Sequence, residues 1–360
     1  MIKTKLTKTN IKNIKHINTK KNIKIQKTKQ KLQIGCHASI SPDIITSLQY
    51  VVSIGGNAVQ IYLGSPKSSS LKNKHKFAEP NEIELIREYV SRNNITLIIH
   101  GNYLMNYCIY PYTSNRIKYM HDNIQYDLKY GALIGAKCVV MHLGSKKQTN
   151  IDTAIETLIG NIKHILSNMP KGIMLSLETS AGEGNEIGWN IEELAKIWNG
   201  VISRAEALDI GICIDTSHIF VSGYDISTVN GIKSYMNKFD SLIGIKHITN
   251  FHINDSRYML GSRKDEHRGI GKGHIYSNDK HNDKRNEKHN ENPNSKKALK
   301  YIKTLCMKHK IPMILETHGA GKHSSHSSHS SHSSHSSHSS HSSHSPITGY
   351  EYEIAMIKKL

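Results

Sequence analysis

The sequence lacks several features that define common protein classes. No run of 18 apolar residues occurs in its 360 positions, so no membrane-spanning helix is predicted. The amino-terminal stretch has no apolar segment of the kind that secretory signals contain. The five cysteines are scattered without a C-x-x-C pair, which argues against a disulfide framework and favours reduced thiols. We therefore expect an intracellular protein that is not secreted.

Acidic residues are missing from the first 31 positions, which contain eleven lysines. This segment alone supplies more than half of the formal net charge of +19. Alternation of Lys with Ile, Thr and Asn is typical of a solvated chain, so we predict that 1–31 is a disordered Lys-rich arm. A basic arm of this kind could also bind nucleic acid by releasing counterions from it.

Two further segments have a biased composition. Residues 278–297 are rich in Asn, Lys, Asp and His, and we predict a polar loop insertion there. Residues 323–345 contain seven His-Ser-Ser units followed by His-Ser. This insertion is either a weak zinc reservoir or a tolerated simple repeat. The rest of 32–360 is ordinary globular sequence and is long enough for one domain.

Short apolar runs recur through this domain, and amphipathic segments separate most of them. The runs are nearly continuous in hydrophobicity, as is expected for parallel strands buried on both faces. Strands and helices that alternate eight times predict an α/β protein, a single-domain (β/α)₈ TIM barrel. The predicted strands are 32–37, 58–62, 96–100, 138–142, 173–178, 211–215, 248–252 and 312–316.

Seven of the eight runs end on a titratable side chain. In such a barrel the carboxyl ends of the strands converge on one face. A single histidine there is usually a satisfied core residue, but seven titratable groups at one structural position are not explained in that way. Without cations the carboxylates would repel one another. The seven are His37, His100, His142, Glu178, Asp215, His252 and Glu316.

Two local motifs add further metal ligands. Asp215-Thr-Ser-His218 follows the sixth run, and Asp265-Glu-His267 lies in a glycine-rich loop after the seventh. Imidazole and carboxylate ligands without thiolate suit catalytic zinc, with manganese or iron as alternatives. Nine ligands are too many for one tetrahedral ion and indicate about three ions. Three divalent cations against four carboxylates favour an anionic substrate, and a phosphodiester fits.

These motifs together resemble endonuclease IV, the zinc-dependent apurinic/apyrimidinic endonuclease family (AP endonuclease family 2). The resemblance runs in order from about Gln33 to the carboxyl terminus and is broken by the two insertions. The matching stretches are Ile34-Gly-Cys-His37, His100-Gly-Asn-Tyr103, Met141-His-Leu-Gly-Ser145, Leu177-Glu-Thr-Ser-Ala-Gly-Glu-Gly184, Cys213-Ile-Asp-Thr-Ser-His218, Phe251-His-Ile-Asn-Asp255, Gly261-Ser-Arg-Lys-Asp-Glu-His267, Gly271-Lys-Gly273 and Ile314-Leu-Glu-Thr317.

The resemblance implies a DNA-repair enzyme, a hydrolase that cuts the phosphodiester 5′ to an abasic nucleotide in duplex DNA. The products would carry a 3′-hydroxyl and a 5′-deoxyribose phosphate. It implies three zinc ions per chain, for which Mn²⁺ is a possible substitute. Glu178 and Glu316 would be catalytic, and Glu316 could orient the attacking water. The implied ligand sets are His100, His142 and Glu178; Glu178, Asp215, His252 and Glu316; and His218, Asp265 and His267.

The DNA contacts implied by the resemblance are Tyr103 and Lys67. Tyr103 matches a family tyrosine that could stack in the gap left by an extruded abasic sugar. Lys67 lies in Gly64-Ser-Pro-Lys67, where the family typically has Asn-Pro-Arg. Lysine keeps the charge but lacks the planar guanidinium, so a phosphate contact is expected there and not insertion into the duplex. His37 matches a family histidine but is not assigned to a metal.

The expected partner is duplex DNA with abasic sites, bound by a monomer without a membrane partner in the nucleus, a viral factory or the cytoplasm. One alternative is a metal-dependent sugar isomerase or epimerase on the same barrel. That enzyme would bind one or two metals and would not need His218 or the Asp265–His267 pair. A second alternative is a non-enzymatic basic DNA-binding or metal-storing protein, in which the biased segments are the active part.

A variant that lacks residues 1–31 and 323–345 separates the last alternative from an enzyme. We expect it to cut abasic DNA still, because all the predicted ligands lie elsewhere in the chain. Its DNA binding should depend less steeply on salt. The slope of the logarithm of the binding constant against the logarithm of the salt concentration should become shallower by about 0.9 for each phosphate that the arm no longer neutralises. Binding and cleavage measured across a salt series check this, and complete loss of cleavage would favour the non-enzymatic alternative.

Overall fold

Eight parallel strands close into a barrel in the computed structural model of the protein, which describes residues 31–78, 80–202, 209–277, 293–317 and 349–360. Ile34 on the first strand pairs with Met313 on the last, and this ladder closes the barrel. A two-stranded hairpin, β8 (Asp255–Ser256) and β9 (His267–Arg268), interrupts the series. The barrel strands are β1 (Ile34–His37), β2 (Ala58–Ile61), β3 (Thr96–His100), β4 (Cys138–Met141), β5 (Met174–Glu178), β6 (Ile210–Asp215), β7 (Ile248–His252) and β10 (Met313–Leu315).

Both faces of the strands are buried, and successive side chains divide between two apolar layers. On β2, Val59 and Ile61 pack in the large layer between the barrel and its helices, while Ala58 belongs to a small cluster inside the barrel. This division follows from the two-residue repeat of a strand. The interior cluster consists of Ala58, Ile98, Cys138, Val140, Cys213 and Ile314.

Helices cover the outside of the barrel and bury one stripe each. In α4, for example, Ile155, Leu158 and Ile162 face inwards at the spacing of an amphipathic helix. Within the described ranges, no helix combines the length and apolarity needed to cross a bilayer. The α-helices are α1 (Ile44–Ser53), α2 (Asn81–Arg92), α3 (Lys118–Leu133), α4 (Ile151–Ser167), α5 (Ile191–Ile202), α6 (Thr216–Val221), α7 (Val229–Leu242), α8 (Pro293–His309) and α9 (Gly349–Lys359).

The prediction of a (β/α)₈ barrel is confirmed, and each of the eight apolar runs overlaps a barrel strand. One boundary was wrong: residues 293–297, predicted as part of a polar loop, form the first turn of α8. A proline fits there because the first helical residue needs no backbone N–H donor. The rest of that insertion, the His-Ser-Ser repeat at 323–345 and the Lys-rich arm up to residue 30 lie outside the described residues.

The buried carboxylate of Asp255 organises the glycine-rich loop after β9. Its Oδ1 accepts hydrogen bonds from the backbone N–H groups of Ser256 and Ile275, at 2.9 and 2.8 Å. Its Oδ2 accepts from those of Gly271, Gly273 and Tyr276, at 3.0, 3.1 and 3.3 Å. An irregular loop cannot satisfy its own backbone donors, so one side chain does so here. Asp255 therefore fixes the path of the loop beside the hairpin that carries His267.

We expect Asp255→Asn to lower the free energy of unfolding by at least about 2 kcal/mol. The amide NH₂ would face two or three buried N–H groups, and each missing acceptor costs about 1–3 kcal/mol. Urea denaturation of the metal-free protein measures the change. Asp43→Asn is the matched control, because Asp43 is exposed, caps helix α1 through Thr46 N–H, and can be replaced by asparagine, which caps equally well. Equal losses in the two variants would contradict the role given to Asp255.

Candidate metal centre

The carboxyl ends of the barrel strands bring the predicted ligands to one face. His100, Glu178 and His252 are the last residues of β3, β5 and β7. Asp215 ends β6, and His142 and Glu316 each lie one residue beyond a strand end. Parallel strands in a barrel present these positions to a common mouth. The position of each residue in its strand, and not its neighbours in sequence, therefore places it in the cluster.

Glu178 lies at the centre of this cluster and is 2% exposed. Its Oε1 is 2.8 Å from Nδ1 of His252 and 3.8 Å from Nδ1 of His218. Its Oε2 is 2.9 Å from Nε2 of His142 and 3.5 Å from Nε2 of His100. One carboxylate thus contacts or closely approaches four imidazoles that come from four different segments of the barrel.

Three groups of ligand atoms lie close enough together to hold a metal ion, within 4.8 Å of one another. One group consists of the four residues of the second predicted set. In the first, His252 stands in place of His142, and in the third, Asp215 stands in place of Asp265. The groups are His100, Glu178 and His252; Glu178, Asp215, His252 and Glu316; and Asp215, His218 and His267.

The two predicted ligands outside these groups lie at the edges of the same cluster. His142 contacts Glu178, and the two carboxylate oxygens of Asp265 are 3.1 Å from His218 Nε2 and 3.2 Å from His267 Nε2. All nine predicted ligands therefore form one connected cluster. Their division among individual ions stays a prediction.

The Asp215-Thr-Ser-His218 spacing has a local structural cause. Asp215 is the N-cap of α6, and its Oδ1 accepts from the N–H groups of Ser217 and His218 at 2.6 and 3.0 Å. Its Oδ2 faces the cluster, 3.7 Å from both His252 Nδ1 and His267 Nε2. The short helix thus turns His218 back over the mouth of the barrel, beside the aspartate that caps it.

Two observations fit a metal ion at this mouth. Within the described ranges, Glu178 Oε2 and His267 Nε2 are buried, and although each lies near an oppositely charged neighbour, neither forms a hydrogen bond of good geometry. A bound metal ion would satisfy such atoms. The Nδ1–H groups of His100 and His218 donate to the backbone oxygens of Gly101 and Thr179, both at 2.7 Å. These bonds leave each Nε2 lone pair directed into the cluster, as in metal-binding histidines.

The electrostatics of the cluster favour ionised carboxylates. Burial alone would raise the pKa of Glu178, but His142 and His252 hold that pKa well below its ordinary value. His218 and His267 hold the pKa of Asp265 well below its ordinary value in the same way, against its burial. The pKa of His267 is raised to about 9, because Asp215 and Asp265 outweigh its burial. The cluster therefore binds positive charge, and a metal ion would compete there with protons.

Asn254 joins two of the carboxylates and was not singled out from the sequence. Its Nδ2 donates to Asp215 Oδ2 at 2.6 Å and to Glu316 Oε2 at 3.2 Å, while its Oδ1 accepts from Glu316 N–H. It lies two residues after His252, and the alternation of an extended chain could have placed it on the same face. Gln60 was missed as well, because β2 carries no titratable residue at its end.

The predicted DNA contacts, Tyr103 and Lys67, are not part of the metal cluster. Lys67 is exposed on the loop after β2, and Tyr103 is half-buried on the loop after β3. The structure joins the two loops, since Asn102 Nδ2 donates to the backbone oxygen of Ser68 at 2.6 Å. His37 lies at the rim, with its Nδ1 3.9 Å from Glu316 Oε1, and belongs to none of the three groups.

The buried carboxylate of Glu353, on α9, fixes the backbone near two residues of the metal cluster. Its Oε2 accepts from Thr317 Oγ1 and its Oε1 from Ile270 N–H, both at 2.6 Å. Thr317 follows Glu316 directly, and Ile270 lies three residues after His267. The last helix of the chain therefore holds the backbone beside two of the predicted ligands.

The comparisons with known sequences all indicate the same family. Residues 48–281 match the family model AP endonuclease 2, described as a xylose isomerase-like TIM barrel. A protein named as endonuclease 4 from Acanthamoeba polyphaga mimivirus is 31% identical over 290 residues, 79% of this chain and 85% of the relative. A protein of the same name from Bacillus subtilis strain 168 is 33% identical over 249 residues, 68% of this chain and 80% of the relative.

Solved structures share the barrel. Endonuclease IV from Thermus thermophilus matches with a TM-score of 0.62 at 24% identity, over 79% of this chain and 92% of that one. A D-tagatose 3-epimerase-like protein matches with a TM-score of 0.51 at 17% identity, over 79% and 91%. These structural matches establish the fold alone, whereas the sequence matches identify the family. The chain is an enzyme, and it belongs to the endonuclease IV family.

Proposed function

We propose that the protein hydrolyses the phosphodiester 5′ to abasic sites in duplex DNA, as a monomer with three bound zinc ions. The products would carry a 3′-hydroxyl and a 5′-deoxyribose phosphate, and Mn²⁺ could replace zinc. Membership of the endonuclease IV family supports this reaction class. The observation that carries the proposal is the cluster of five imidazoles and four carboxylates at the mouth of the barrel.

The residues of the cluster fit a set of metal ions that share ligands. Glu178 belongs to two of the three groups, and Asp215 belongs to two as well. When bound, the metals would neutralise the phosphate oxygens, lower the pKa of a water and stabilise the leaving 3′-oxygen. His100 and His218 offer Nε2 to them, because the backbone accepts their Nδ1–H groups.

Glu316 is placed to orient the attacking water. Gln60 Nε2 donates to its Oε1 and Asn254 Nδ2 to its Oε2, at 2.6 and 3.2 Å, so the carboxylate plane is fixed from both sides. Its side chain is 13% exposed, whereas that of Glu178 is 2% exposed. Glu316 is therefore the more accessible of the two glutamates to water and substrate. A fixed acceptor of this kind holds a water proton without reorganising during the reaction.

An abasic nucleotide is a substrate that could reach a metal cluster buried at the mouth of the barrel. Its sugar can leave the duplex at low cost, because no base pair is broken. Tyr103 would then stack in the gap, and Lys67 would contact a phosphate. The hydrogen bond between Asn102 and Ser68 links the two loops that carry these residues, so they would meet the duplex as one surface.

The similarity to a D-tagatose 3-epimerase-like protein does not favour the isomerase alternative, because it is a similarity of fold alone. The third ligand group distinguishes the two functions. His218 and His267 lie beside Asp215 and Asp265, next to the two groups centred on Glu178. A site for one or two metals leaves these extra ligands without a role.

We expect the purified protein to nick a duplex that carries one natural abasic site, on the 5′ side of the lesion. The upstream product should be extendable by a polymerase, because its terminus is a 3′-hydroxyl. A strong chelator should abolish nicking and added zinc should restore it, since the ligands bind metal reversibly. Analysis of the product termini by mass spectrometry checks the reaction. Nicking that persists after metal removal, or an aldehyde-bearing 3′ end, would refute the proposed chemistry.

Glu178→Ala should reduce the rate of nicking by more than the ~10²–10³-fold that follows loss of one transition-state hydrogen bond. The reason is that this carboxylate would serve two metal ions and contacts or approaches four imidazoles. Glu156→Ala on the exposed face of α4 is the matched control and should leave the rate unchanged. Single-turnover rates and far-ultraviolet circular dichroism of both variants give the comparison. Near-normal cleavage by a folded Glu178→Ala protein would rule out this site.

A further inference from the structure

Gln60 is a neutral side chain buried within the charged cluster. It lies on β2 beside His37 of β1 and Ile98 of β3 in the ladder, and it is fully buried. Ala58, two residues earlier, faces the interior of the barrel, so the strand repeat directs Gln60 to the same side. The amide therefore reaches across the barrel towards residues of β7 and the end of β10.

The hydrogen bonds of Gln60 fix the orientation of its amide. Nε2 donates to Glu316 Oε1 at 2.6 Å and lies 3.1 Å from His37 Nδ1. Oε1 accepts from His252 Nε2 at 2.8 Å. An ionised carboxylate can only accept, so the NH₂ group must face Glu316 and the carbonyl must face His252. The reverse orientation would place two acceptors together.

This orientation determines which nitrogen of His252 can bind a cation. The proton on Nε2 is held by Gln60, so Nε2 is not available as a ligand. Nδ1 lies 2.8 Å from Glu178 Oε1 and 3.1 Å from Glu316 Oε2, among the other ligand atoms. A proton on Nδ1 is therefore the one that a metal ion would displace.

His252 differs in this respect from two other histidines of the cluster. His100 and His218 donate from Nδ1 to backbone oxygens, which leaves Nε2 as the metal-binding atom. His252 has the opposite arrangement, and its partner is a side chain that lies 192 positions away in the sequence. A side-chain partner can be removed by substitution, whereas a backbone oxygen cannot.

We propose that Gln60 is a positioning residue with two effects. It makes Nδ1 the metal-binding atom of His252, and its amide N–H holds the Oε1 atom of Glu316 in place. The inference rests on the proposed metal-dependent function and concerns the site formed by Glu178, Asp215, His252 and Glu316. Gln60 acts through two ligands and does not itself contact the metal. Loss of its amide frees the His252 ring to change tautomer or to rotate, and it removes one of the two bonds that fix Glu316.

The test compares Gln60→Met with the wild-type protein as full-length chains. Methionine fills a similar volume but offers neither the donor nor the acceptor. Gln125→Met on α3 is the matched control, because Gln125 donates to the backbone oxygen of Ile165, outside the metal cluster. Each protein is loaded with zinc and titrated with a competing chelator, and bound zinc is measured at each step.

We expect Gln60→Met to lower the affinity for one of the zinc ions by about 10–100-fold, which is the usual effect of removing the hydrogen-bond partner of a ligating histidine. The other zinc ions should be released at the same chelator concentrations as in the wild type. Gln125→Met should match the wild type at every chelator concentration. Long-range ¹H–¹⁵N spectra of the zinc-loaded wild type should show a histidine bound through Nδ1 with a proton on Nε2. That signature should disappear in Gln60→Met while the signals of the other zinc-bound histidines remain. A general loss of stability would affect all of these signals together.

Two outcomes overturn the inference alone. One is a Gln60→Met protein that releases all of its zinc at the same chelator concentrations as the wild type. The other is a zinc-loaded wild type in which no histidine binds through Nδ1. A wild-type protein that binds no zinc tightly would instead refute the proposed function, and the inference with it.

Discussion

The concentration of charge around Glu178 is the constraint on which the rest of the site depends. This buried carboxylate has four imidazoles within 3.8 Å, but among the described residues its Oε2 forms no hydrogen bond of good geometry. A buried ionised group is stable only when it is paired and hydrogen-bonded. The imidazoles surround Glu178, and backbone oxygens and the amide of Gln60 orient three of them. The amide of Asn254 orients the neighbouring carboxylates of Asp215 and Glu316. A bound cation would complete the arrangement and would couple metal binding to the order of the site.

Much of this arrangement could be predicted from the sequence, because a parallel barrel leaves a simple pattern. Strands covered on both faces are continuous apolar runs, and the eight predicted runs overlap the eight strands. A titratable residue at the carboxyl end of such a run lies at the mouth, where the strand ends converge. His100, Glu178 and His252 could therefore be placed together before their distances were known.

Contacts across the barrel could not be predicted in this way. Strand periodicity gives the face on which a side chain lies but not its partner on a strand several neighbours away. Gln60 and His252 meet across the interior, and neither carries a local signal for the other. The division of ligands among ions has the same limit, since His142 and His252 approach Glu178 almost equally, at 2.9 and 2.8 Å. The supporting roles of Asp255 and Glu353 have no signal in the sequence, because the groups that these carboxylates bind belong to irregular segments without a repeat.

The hydrogen bond between Glu353 and Thr317 has a consequence for changes near the carboxyl terminus. The same carboxylate also accepts from Ile270 N–H, so helix α9 is fixed to the backbone on two sides of the metal cluster, beside Glu316 and close to His267. A substitution that displaced α9 would therefore disturb two predicted ligands without touching either of them.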